Sequence, residues 1–494
     1  MSTAQRPADI RHPATVRLLA EQAFSRTAGA PLLGGNKVLL LRDASENYAA
    51  WLAAIASAQK HVHFENYIIA DDAVGQEFIA ALAARARAGV RVRLLYDWLG
   101  CVTKSSRRLW QPLLAAGGEV RCFNRPQPAN PFGWGVRDHR KSLTVDGRIG
   151  FVSGLCVATS WRGDPERHIE PWRDTGVSIE GPALVDVVQA FAHVWGHCGA
   201  ALPAEEMLVD DAAEPSGTTH LRVIATSPNT SGLYRLDQLI AAMARQSLWL
   251  TDPYYLGTPS YMHALCAAAS DGVDVRLLVP SSTDIPMLSP LSRAGYRPLL
   301  EAGARVFEWN GPMIHAKTAV ADGRWARVGS SNLNIASWMS NYELDVAVED
   351  QAFARQMEAM YEADLEHATE IVLSHERVQL REGRRPRNQP PPNRRSAASR
   401  RTATAVRLSN TMALAMRQRR LLGPTEARLT LFIGALLLLF SLITLYWPRL
   451  IALPLAAFSL WLAISFLLRS RSLLGRYRRP GAAPGLPWRR PPRE

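Results

Sequence analysis

The chain has 494 residues, 47% apolar and 20% charged, a composition typical of a globular protein with two or three domains. Its five cysteines form neither a Cys-x-x-Cys pair nor a metal-ligand spacing, which disfavours disulfides and a cysteine-bound metal. The net charge of +13 is concentrated in the last quarter, where residues 377–428 hold fourteen arginines against two glutamates and residues 469–494 hold eight against one. With Arg449, these residues carry more than the whole net charge, so residues 1–376 are mildly acidic. A nucleic-acid enzyme normally carries a basic stripe on its catalytic body, so this distribution disfavours that class.

Residues 1–30 contain four arginines and no long apolar run, so they are predicted to be an N-terminal segment without a secretory signal. Residues 31–205 are predicted to form a first half in which apolar strands alternate with amphipathic helices. Its clearest elements are a strand at His61–Tyr67, a helix at Gln76–Ala88 and a strand at Gly89–Leu95.

Residues 206–376 repeat this order of elements and are predicted to form a second half. The matching elements are a strand at Leu248–Tyr255, a helix at Tyr261–Ala269 and a strand at Gly272–Leu278. The glycines that begin the later strands, Gly89 and Gly272, lie 183 residues apart. Alternating strands and helices predict an α/β fold, and the duplication predicts two halves packed about a pseudo-two-fold axis.

The C-terminal quarter is predicted to be a basic linker (377–428), a membrane hairpin (429–468) and a basic tail (469–494). Leu429–Trp447 and Leu450–Leu468 are each 19 residues long without a charge. A helix of that length spans about 28 Å, close to the hydrocarbon thickness of a bilayer. A shallow re-entrant hairpin and a buried hairpin of a soluble domain remain alternatives.

Arginines flank both outer ends of the predicted hairpin. The positive-inside rule therefore predicts a membrane protein with residues 1–428 and the tail in the cytoplasm. The Arg- and Pro-rich linker is predicted to be flexible and either attracts anionic membrane lipids or is merely solvated.

The pattern His-x-Lys-x-x-x-x-Asp occurs twice, in a chain that contains only five lysines. The candidate catalytic residues are therefore His139, Lys141, Asp146, His315, Lys317 and Asp322. Retention of lysine in an arginine-rich chain indicates that a compact ammonium group is needed at these positions. Each aspartate precedes a glycine, as at a turn, so we expect the aspartates to orient structure more than to react.

The two motifs together predict one composite site for phosphoryl chemistry. In an extended strand, a histidine and the lysine two residues later lie on the same face. One half-site supplies a single histidine, whereas two supply both a nucleophile and an acid, with two ammonium groups to hold phosphate oxygens. A small-residue stretch follows each motif, at Ser153–Cys156 and Gly329–Asn332, and would let a phosphate approach the backbone and the Ser330 hydroxyl.

On these residues the chain resembles the phospholipase D superfamily and, within it, the bacterial cardiolipin synthases. The resemblance covers roughly residues 30–370, and the residues that carry it are Arg137–Lys141, Asp146, Gly147, Trp172–Asp174, His315–Lys317, Asp322–Trp325, Val328–Asn334 and Asn341–Glu343. It does not cover the linker and the hairpin. Cys156 and Ser153 depart from the pattern, because the family usually has Asn and Gly there, which leaves Asn332 as the one motif asparagine.

The resemblance implies tandem phospholipase D-like sandwich domains and a two-step transfer through a phosphohistidine. His139 would be the nucleophile and His315 the acid and base, while the two lysines, Ser330 and Asn332 would hold phosphate oxygens. Glu343 and Asp174 would contact the substrate site by bonding the distal nitrogens of the opposing histidines, or they are ordinary strand-end carboxylates. No metal and no other cofactor is expected, because the lysines supply the positive charge.

The function that follows is a membrane-anchored phosphatidyltransferase that joins two phosphatidylglycerol molecules into cardiolipin and glycerol. A phospholipase D that hydrolyses phospholipids to phosphatidic acid is the main alternative. A nuclease of the same superfamily and a membrane-bound pseudoenzyme scaffold are further alternatives, although no nucleic-acid partner is expected.

Overall fold

The computed structural model describes residues 13–126, 135–208, 214–285, 288–373 and 378–381, together with helical positions between 435 and 467. The chain divides into two compact units. The first comprises residues 1–125 and 136–419 and holds all the strands of the described part of the chain. The second comprises residues 126–135 and 420–494.

The strands and helices of the first unit alternate along the chain. The strands are β1 (Leu33–Arg42), β2 (His61–Asn66), β3 (Arg91–Asp97), β4 (Glu119–Phe123), β5 (Lys141–Val145), β6 (Ile149–Ser153), β7 (Thr175–Glu180), β8 (Thr219–Thr226), β9 (Ser247–Thr251), β10 (Asp274–Pro280), β11 (Arg305–Trp309), β12 (Thr318–Ala321), β13 (Trp325–Gly329), β14 (Glu343–Glu349), β15 (Ala368–Leu373) and β16 (Val378–Arg381). The helices are α1 (Pro13–Ala28), α2 (Asp43–Ser57), α3 (Ala73–Arg87), α4 (Trp98–Cys101), α5 (Gln111–Ala115), α6 (Thr159–Arg162), α7 (Leu184–His197), α8 (Gly232–Met243), α9 (Pro259–Ser270), α10 (Leu288–Ala294), α11 (Tyr296–Glu301), α12 (Ile335–Met339) and α13 (Gln351–Glu366).

All the strands of the described residues join one sheet, and its two halves have equivalent strand orders. Read outward from the junction of the halves, the order is β1-β7-β6-β5-β2-β3-β4 in the first half. In the second half it is β8-β14-β13-β12-β9-β10-β11, followed by β15 and β16. Antiparallel pairing of β1 with β8 joins the two sides. In each half three strands are parallel, β2-β3-β4 and β9-β10-β11, and the others are antiparallel. The predicted α/β fold and its duplication are therefore present.

Helices cover both faces of the sheet, which explains why its central strands are apolar on both sides. In the first half Trp51 of α2 packs edge-on against Phe64 and Phe78, with ring centroids 6.2 Å and 6.1 Å away. On the other face, α7 and α13 share one core with strands from both halves, and Val187 and Phe353 belong to it. This shared core fixes the two halves against each other and thereby fixes the motifs that follow.

The predicted elements occur with shifted ends, and local hydrogen bonds explain the shifts. Helix α3 begins at Ala73 because the Asp72 carboxylate accepts bonds from the Val74 and Gly75 amides. Strand β9 ends at Thr251 because Asp252 turns the chain by accepting a bond from the Tyr254 amide at 2.9 Å.

The second unit is helical at residues 438–442, 444–446 and 452–461. Its described apolar side chains are exposed, among them Leu438, Leu445 and Leu453. Among the described residues, no helix is both long enough and apolar enough to cross a membrane. Much of the predicted hairpin (429–468), almost all of the linker (377–428) and the whole tail (469–494) lie outside the described residues, so these assignments stay predictions.

Candidate active site

Each motif is attached by its backbone to the opposite half of the molecule. Asp138 forms a parallel bridge with Tyr342, and Ile314 forms the equivalent bridge with Arg173. The His139 amide donates to the Tyr342 carbonyl at 2.9 Å, and the His315 amide donates to the Arg173 carbonyl at 2.7 Å. Both histidines therefore lie in extended segments just before β5 and β12 instead of inside these strands, and each is held by the other half.

Each histidine contacts a buried carboxylate that follows the same cross-half bridge. His139 Nδ1 lies 2.9 Å from Glu343 Oε2, and His315 Nδ1 lies 2.7 Å from Asp174 Oδ2. The Trp161 indole N–H also donates to Asp174, at 2.9 Å. A carboxylate at Nδ1 holds the proton on that nitrogen and leaves Nε2 as the reactive atom.

The two lysines are buried beside these histidines. Lys317 Nζ lies 2.8 Å and 3.0 Å from the two ring nitrogens of His315 and also donates to the His315 carbonyl, as Lys141 does to the His139 carbonyl. Burial lowers the pKa of Lys317 to about 8, although Asp174 opposes the shift. A phosphate oxygen would add negative charge beside this buried ammonium group and raise its pKa.

Burial also sets the protonation state of the histidines. It lowers the pKa of His315 to about 4, helped by the charge of Lys317 and opposed by Asp174. It lowers the pKa of His139 as well, against the influence of Glu343. The charge of Lys317 acts on His139 and that of Lys141 acts on His315, so the four groups form one electrostatic unit. Both imidazoles are therefore neutral at pH 7, which suits one of them to act as a nucleophile.

The carboxylates remain charged despite their complete burial. Burial raises the pKa of Asp174, but His315, Lys317 and the Trp161 N–H outweigh it and lower the value to about 2. Glu343 likewise has a lowered pKa, because His139 and other donors outweigh burial. Each carboxylate can thus stabilise an imidazolium that forms during a reaction.

The small-residue stretches that follow the motifs differ between the halves. The Ser330 hydroxyl donates to Glu343 at 2.6 Å and accepts from the Leu344 amide, so it holds the carboxylate. At the equivalent position of the first half is Gly154, where a Cβ would come within 2.2 Å of the Asp174 carboxylate. Glycine is therefore required there, and the hydroxyl has no counterpart.

Asn332 and Cys156 occupy equivalent positions, 176 residues apart. Asn332 is buried, and its Oδ1 accepts no hydrogen bond from any residue in the described ranges. Cys156 is also buried, and burial raises the pKa of its thiol against the influence of Lys141 and Lys317. The second half thus presents a polar amide where the first half presents a neutral thiol.

The two motif aspartates, which the sequence pattern groups with the catalytic residues, lie apart from the histidines. Asp146 accepts bonds from the backbone amides of residues 59–61, and Asp322 from those of residues 245–247, at 2.7 to 3.2 Å. Both have positive φ, and Asp146 follows the far end of β5, roughly 16 Å of strand from Lys141. They fix the starts of β2 and β9, as their position before a glycine indicates.

Aromatic residues that the sequence analysis did not select surround the histidines. Tyr67 meets His139 edge-on at 4.8 Å, and Tyr254 meets His315 at 5.8 Å. Trp161 is perpendicular to His315, with a centroid distance of 5.1 Å. The two tyrosines each follow a carboxylate by two positions at a strand end, and this repeated spacing is a signal that could have identified them.

Two buried arginines connect the halves, and although both lie in segments that carry the family resemblance, the sequence analysis gave them no role. Arg140 donates to the carbonyls of Glu343, Thr226 and Ala190, at 3.1, 2.9 and 2.6 Å. Arg173 forms a two-pronged ion pair with Asp364, at 2.8 and 2.9 Å. Both arginines therefore fix the segments that carry the histidine-bound carboxylates. Across the described ranges, no group of three or more His, Cys, Asp and Glu side chains could hold a metal ion.

Comparison with known proteins gives one consistent family. The profile described as "Cardiolipin synthase, PLD-like domain" matches residues 51–195 and 237–365. A cardiolipin synthase of Alkalihalophilus pseudofirmus is 30% identical over 348 residues, covering 70% of this chain and 69% of that protein. Cardiolipin synthase A of Pseudomonas aeruginosa is 32% identical over 356 residues, covering 71% of each chain.

A solved structure supports the fold. The crystal structure of phosphatidylserine synthase from Haemophilus influenzae aligns with a TM-score of 0.55 at 15% identity, covering 71% of this chain and 91% of that one.

Proposed function

Because the chain belongs to the cardiolipin synthase family of phospholipase D-like proteins, we propose that it transfers the phosphatidyl group of one phosphatidylglycerol to a second one. The products are cardiolipin and glycerol. The sequence-based identification as an enzyme of the phospholipase D type, similar to cardiolipin synthases, is confirmed by these similarities.

One observation carries the catalytic proposal. Each half contributes one motif histidine, and each of these two histidines contacts a buried carboxylate through Nδ1. The two buried lysines lower the pKa of both histidines. This arrangement supplies a neutral nucleophile, a proton carrier and two cations for the phosphate oxygens, which is what a double displacement at phosphorus requires.

In the first step His139 Nε2 attacks the phosphorus of phosphatidylglycerol, and the bond from phosphorus to the glycerol oxygen breaks. His315, protonated when the anionic phosphate binds, gives its proton to the leaving glycerol. Glu343 stabilises the imidazolium of the phosphatidyl-histidine that forms, while Lys141 and Lys317 neutralise the phosphate oxygens.

In the second step His315 accepts a proton from a glycerol hydroxyl of the second phosphatidylglycerol. That oxygen attacks phosphorus, and the bond between phosphorus and His139 breaks. The assignment of His139 as nucleophile follows the family resemblance. Asn332 is proposed to donate its amide to a phosphate oxygen, whereas Ser330 is proposed to hold Glu343 in place.

The proposal includes the membrane. We place residues 31–205 and 206–376 as the two catalytic halves on the cytoplasmic side of a bacterial inner membrane, with residues 429–468 as the anchor. Two charge-free stretches of 19 residues, the flanking arginines and the exposed apolar side chains of the described helical positions support this assignment. The basic linker would attract the anionic lipids that are also the substrate.

The decisive experiment is product analysis with the purified full chain and phosphatidylglycerol. We expect cardiolipin and glycerol, whereas phosphatidic acid without cardiolipin would show that water is the acceptor and the chain is a phospholipase D. His139→Gln and His315→Gln should each lower turnover by about 10⁴-fold or more. His263→Gln, at an exposed histidine of α9, is the matched control and should leave turnover unchanged.

A substrate with a good leaving group distinguishes the roles of the two histidines. With a phosphatidyl ester of p-nitrophenol, the first step needs no general acid, so His315→Gln should still release one equivalent of nitrophenolate and retain a labelled phosphohistidine. His139→Gln should show neither a burst nor a label. The reverse pattern would exchange the two roles.

A further inference from the structure

The two active-site tyrosines are each fixed by a segment that carries exposed apolar residues. In the first half, Gly100 of α4 packs directly on Tyr67, because a Cβ at Gly100 would lie 2.1 Å from the Tyr67 carbonyl oxygen. The same segment is bonded to the chain after Tyr67, since the amide of Asp71 donates to the Lys104 carbonyl at 2.8 Å. On either side of Gly100, Leu99 and Val102 are exposed.

The second half repeats this construction with different residues. The Tyr254 hydroxyl donates to Asp284 at 2.7 Å, and the Tyr254 carbonyl accepts from the Asn334 side chain at 3.2 Å. The residue that follows each partner is an exposed isoleucine, Ile285 in one case and Ile335 in the other.

These four apolar residues, which we call the apolar rim, are attached to the edge of the sheet where the histidines lie. Asn66, the last residue of β2, pairs with Lys141, the first residue of β5, so the carboxyl end of β2 is the histidine edge. Strand β3 runs parallel to β2 and leads into α4 at the same edge. Strand β10 runs parallel to β9 and leads to Asp284 and Ile285. Leu99, Val102 and Ile285 thus lie in segments of this one edge, and Ile335 joins them because its neighbour Asn334 bonds to the Tyr254 carbonyl.

The charges beside Leu99 and Val102, the first-half residues of the rim, favour an anionic surface. Residues 98–118 contain Lys104, Arg107 and Arg108, all exposed, and no Asp or Glu. This local positive charge stands on a body that is acidic as a whole. Exposed aliphatic side chains beside cations are the combination that binds the interface of an anionic bilayer.

We propose that the apolar rim inserts into the surface of an anionic lipid bilayer, so that the phospholipid enters the histidine site from the membrane. The inference rests on the proposed function in taking the substrate to be a phospholipid. It adds that the catalytic body contacts the bilayer itself through both halves, independently of the C-terminal segment. Tyr67 and Tyr254 then line the path between the bilayer and the histidines.

The test compares one set of full-length variants in two physical forms of phosphatidylglycerol. Val102→Glu and Ile335→Glu should each lower cardiolipin formation in proteoliposomes by about tenfold, because a charge opposes insertion. Their rates with phosphatidylglycerol in detergent micelles should stay within about twofold of wild type. Met243→Glu is the matched control, because Met243 and Val102 are both 47% exposed, and Met243 ends α8 just before the opposite end of β9. It should behave as wild type in both forms.

A second measurement does not depend on turnover. The photoreactive residue p-benzoylphenylalanine in place of Ile335 should crosslink to phosphatidylglycerol in vesicles, whereas the same residue in place of Met243 should not. Wild-type rates for both rim variants in proteoliposomes would contradict insertion of the rim into the bilayer. Crosslinking of position 335 to protein instead of lipid would contradict it as well. If the wild-type protein forms no cardiolipin in either lipid form, the proposed function is wrong. The crosslink would then still show whether the rim contacts the bilayer.

Discussion

At the scale of single residues, the reactivity of the site comes from charged groups that are buried close together. Burial and Lys317 lower the pKa of His315 to about 4, and burial lowers that of Lys317 to about 8. An anionic phosphate placed between them supplies the missing negative charge and raises both values. The proposed mechanism therefore couples substrate binding to protonation of His315, and the protonated His315 is the acid of its first step.

This coupling predicts proton uptake on binding. Glycerophosphoglycerol, the deacylated substrate, keeps a constant charge near neutral pH, so any uptake belongs to the protein. Because the pKa of His315 is about 4 without the phosphate and higher with it, the affinity should increase as pH falls from 8 to 6, by up to about tenfold per pH unit.

Calorimetric titration in buffers of different ionisation enthalpy measures this uptake directly. We expect a value approaching one proton at pH 6 to 7 for wild type and a smaller one for Asp174→Asn, which lacks the carboxylate that stabilises the imidazolium. Proton release, or an affinity that does not change with pH, would contradict the coupling.

The unequal motif positions allow a matched pair of substitutions. Asn332 is buried and carries amide N–H groups that can donate to a phosphate oxygen, whereas the Cys156 thiol is kept neutral by burial. Loss of one hydrogen bond to a charged phosphate costs about 1.5–3 kcal/mol, so Asn332→Ala should lower kcat/KM by roughly 10- to 150-fold. Cys156→Ala should change kcat/KM by less than about threefold, since a neutral thiol is a weak donor. Equal losses in the two variants would show that the halves bind phosphate symmetrically.

At the scale of elements, Arg173 connects the loop before β7 with α13. Burial would lower the pKa of this guanidinium, but Asp364 and Asp43 outweigh it, so the arginine stays charged. Its backbone carbonyl accepts the His315 amide, so the ion pair with Asp364 also fixes the position of the histidine proposed to act as acid and base. A change in this pair should therefore affect both stability and rate.

Replacement of Arg173 by lysine keeps the charge and removes the two-pronged geometry. Arg173→Lys should lower the free energy of unfolding by about 2–3 kcal/mol, and a double-mutant cycle with Asp364→Asn should show strong coupling. Arg305→Lys is the control, because Arg305 pairs with Glu370 in the same two-pronged way but both side chains are about 30% exposed. There we expect less than about 1 kcal/mol in urea denaturation. Similar losses at both sites would refute the special role of burial.

The sequence predicts the elements better than the contacts between them. Strand and helix patterns are local, so they identify β2, α3 and β9 within a few residues of their observed ends. The family resemblance also points to Asp174 and Glu343, which end the segments Trp172–Asp174 and Asn341–Glu343. The bridging role of Arg140 could not be predicted from the sequence, since its partners Thr226 and Glu343 lie in the other half and depend on how the halves pack.

At the scale of the whole molecule, duplication and charge serve different parts of the function. The duplicated sheet brings one histidine and one lysine from each half into a single electrostatic unit, which neither half could form alone. The body has a net negative charge, and the net positive charge is concentrated after residue 376, where it flanks the predicted hairpin. This separation is expected if the last quarter holds the enzyme at an anionic membrane while the body performs the chemistry.

The last prediction concerns the topology of this quarter. Arginines on both outer ends of residues 429–468 predict that the body and Glu494 share the cytoplasmic side, with Trp447 at the far surface if the hairpin spans the bilayer. Green fluorescent protein fused after Glu494 should fluoresce, and alkaline phosphatase fused there should be inactive.

In intact cells a membrane-impermeant maleimide should label Trp447→Cys above the background of the unsubstituted chain. Labelling only after permeabilisation would indicate a re-entrant hairpin, because its turn would not reach the far surface. An active phosphatase at Glu494 would place the tail outside and refute the orientation, since the positive charges would then lie on the wrong side of the membrane.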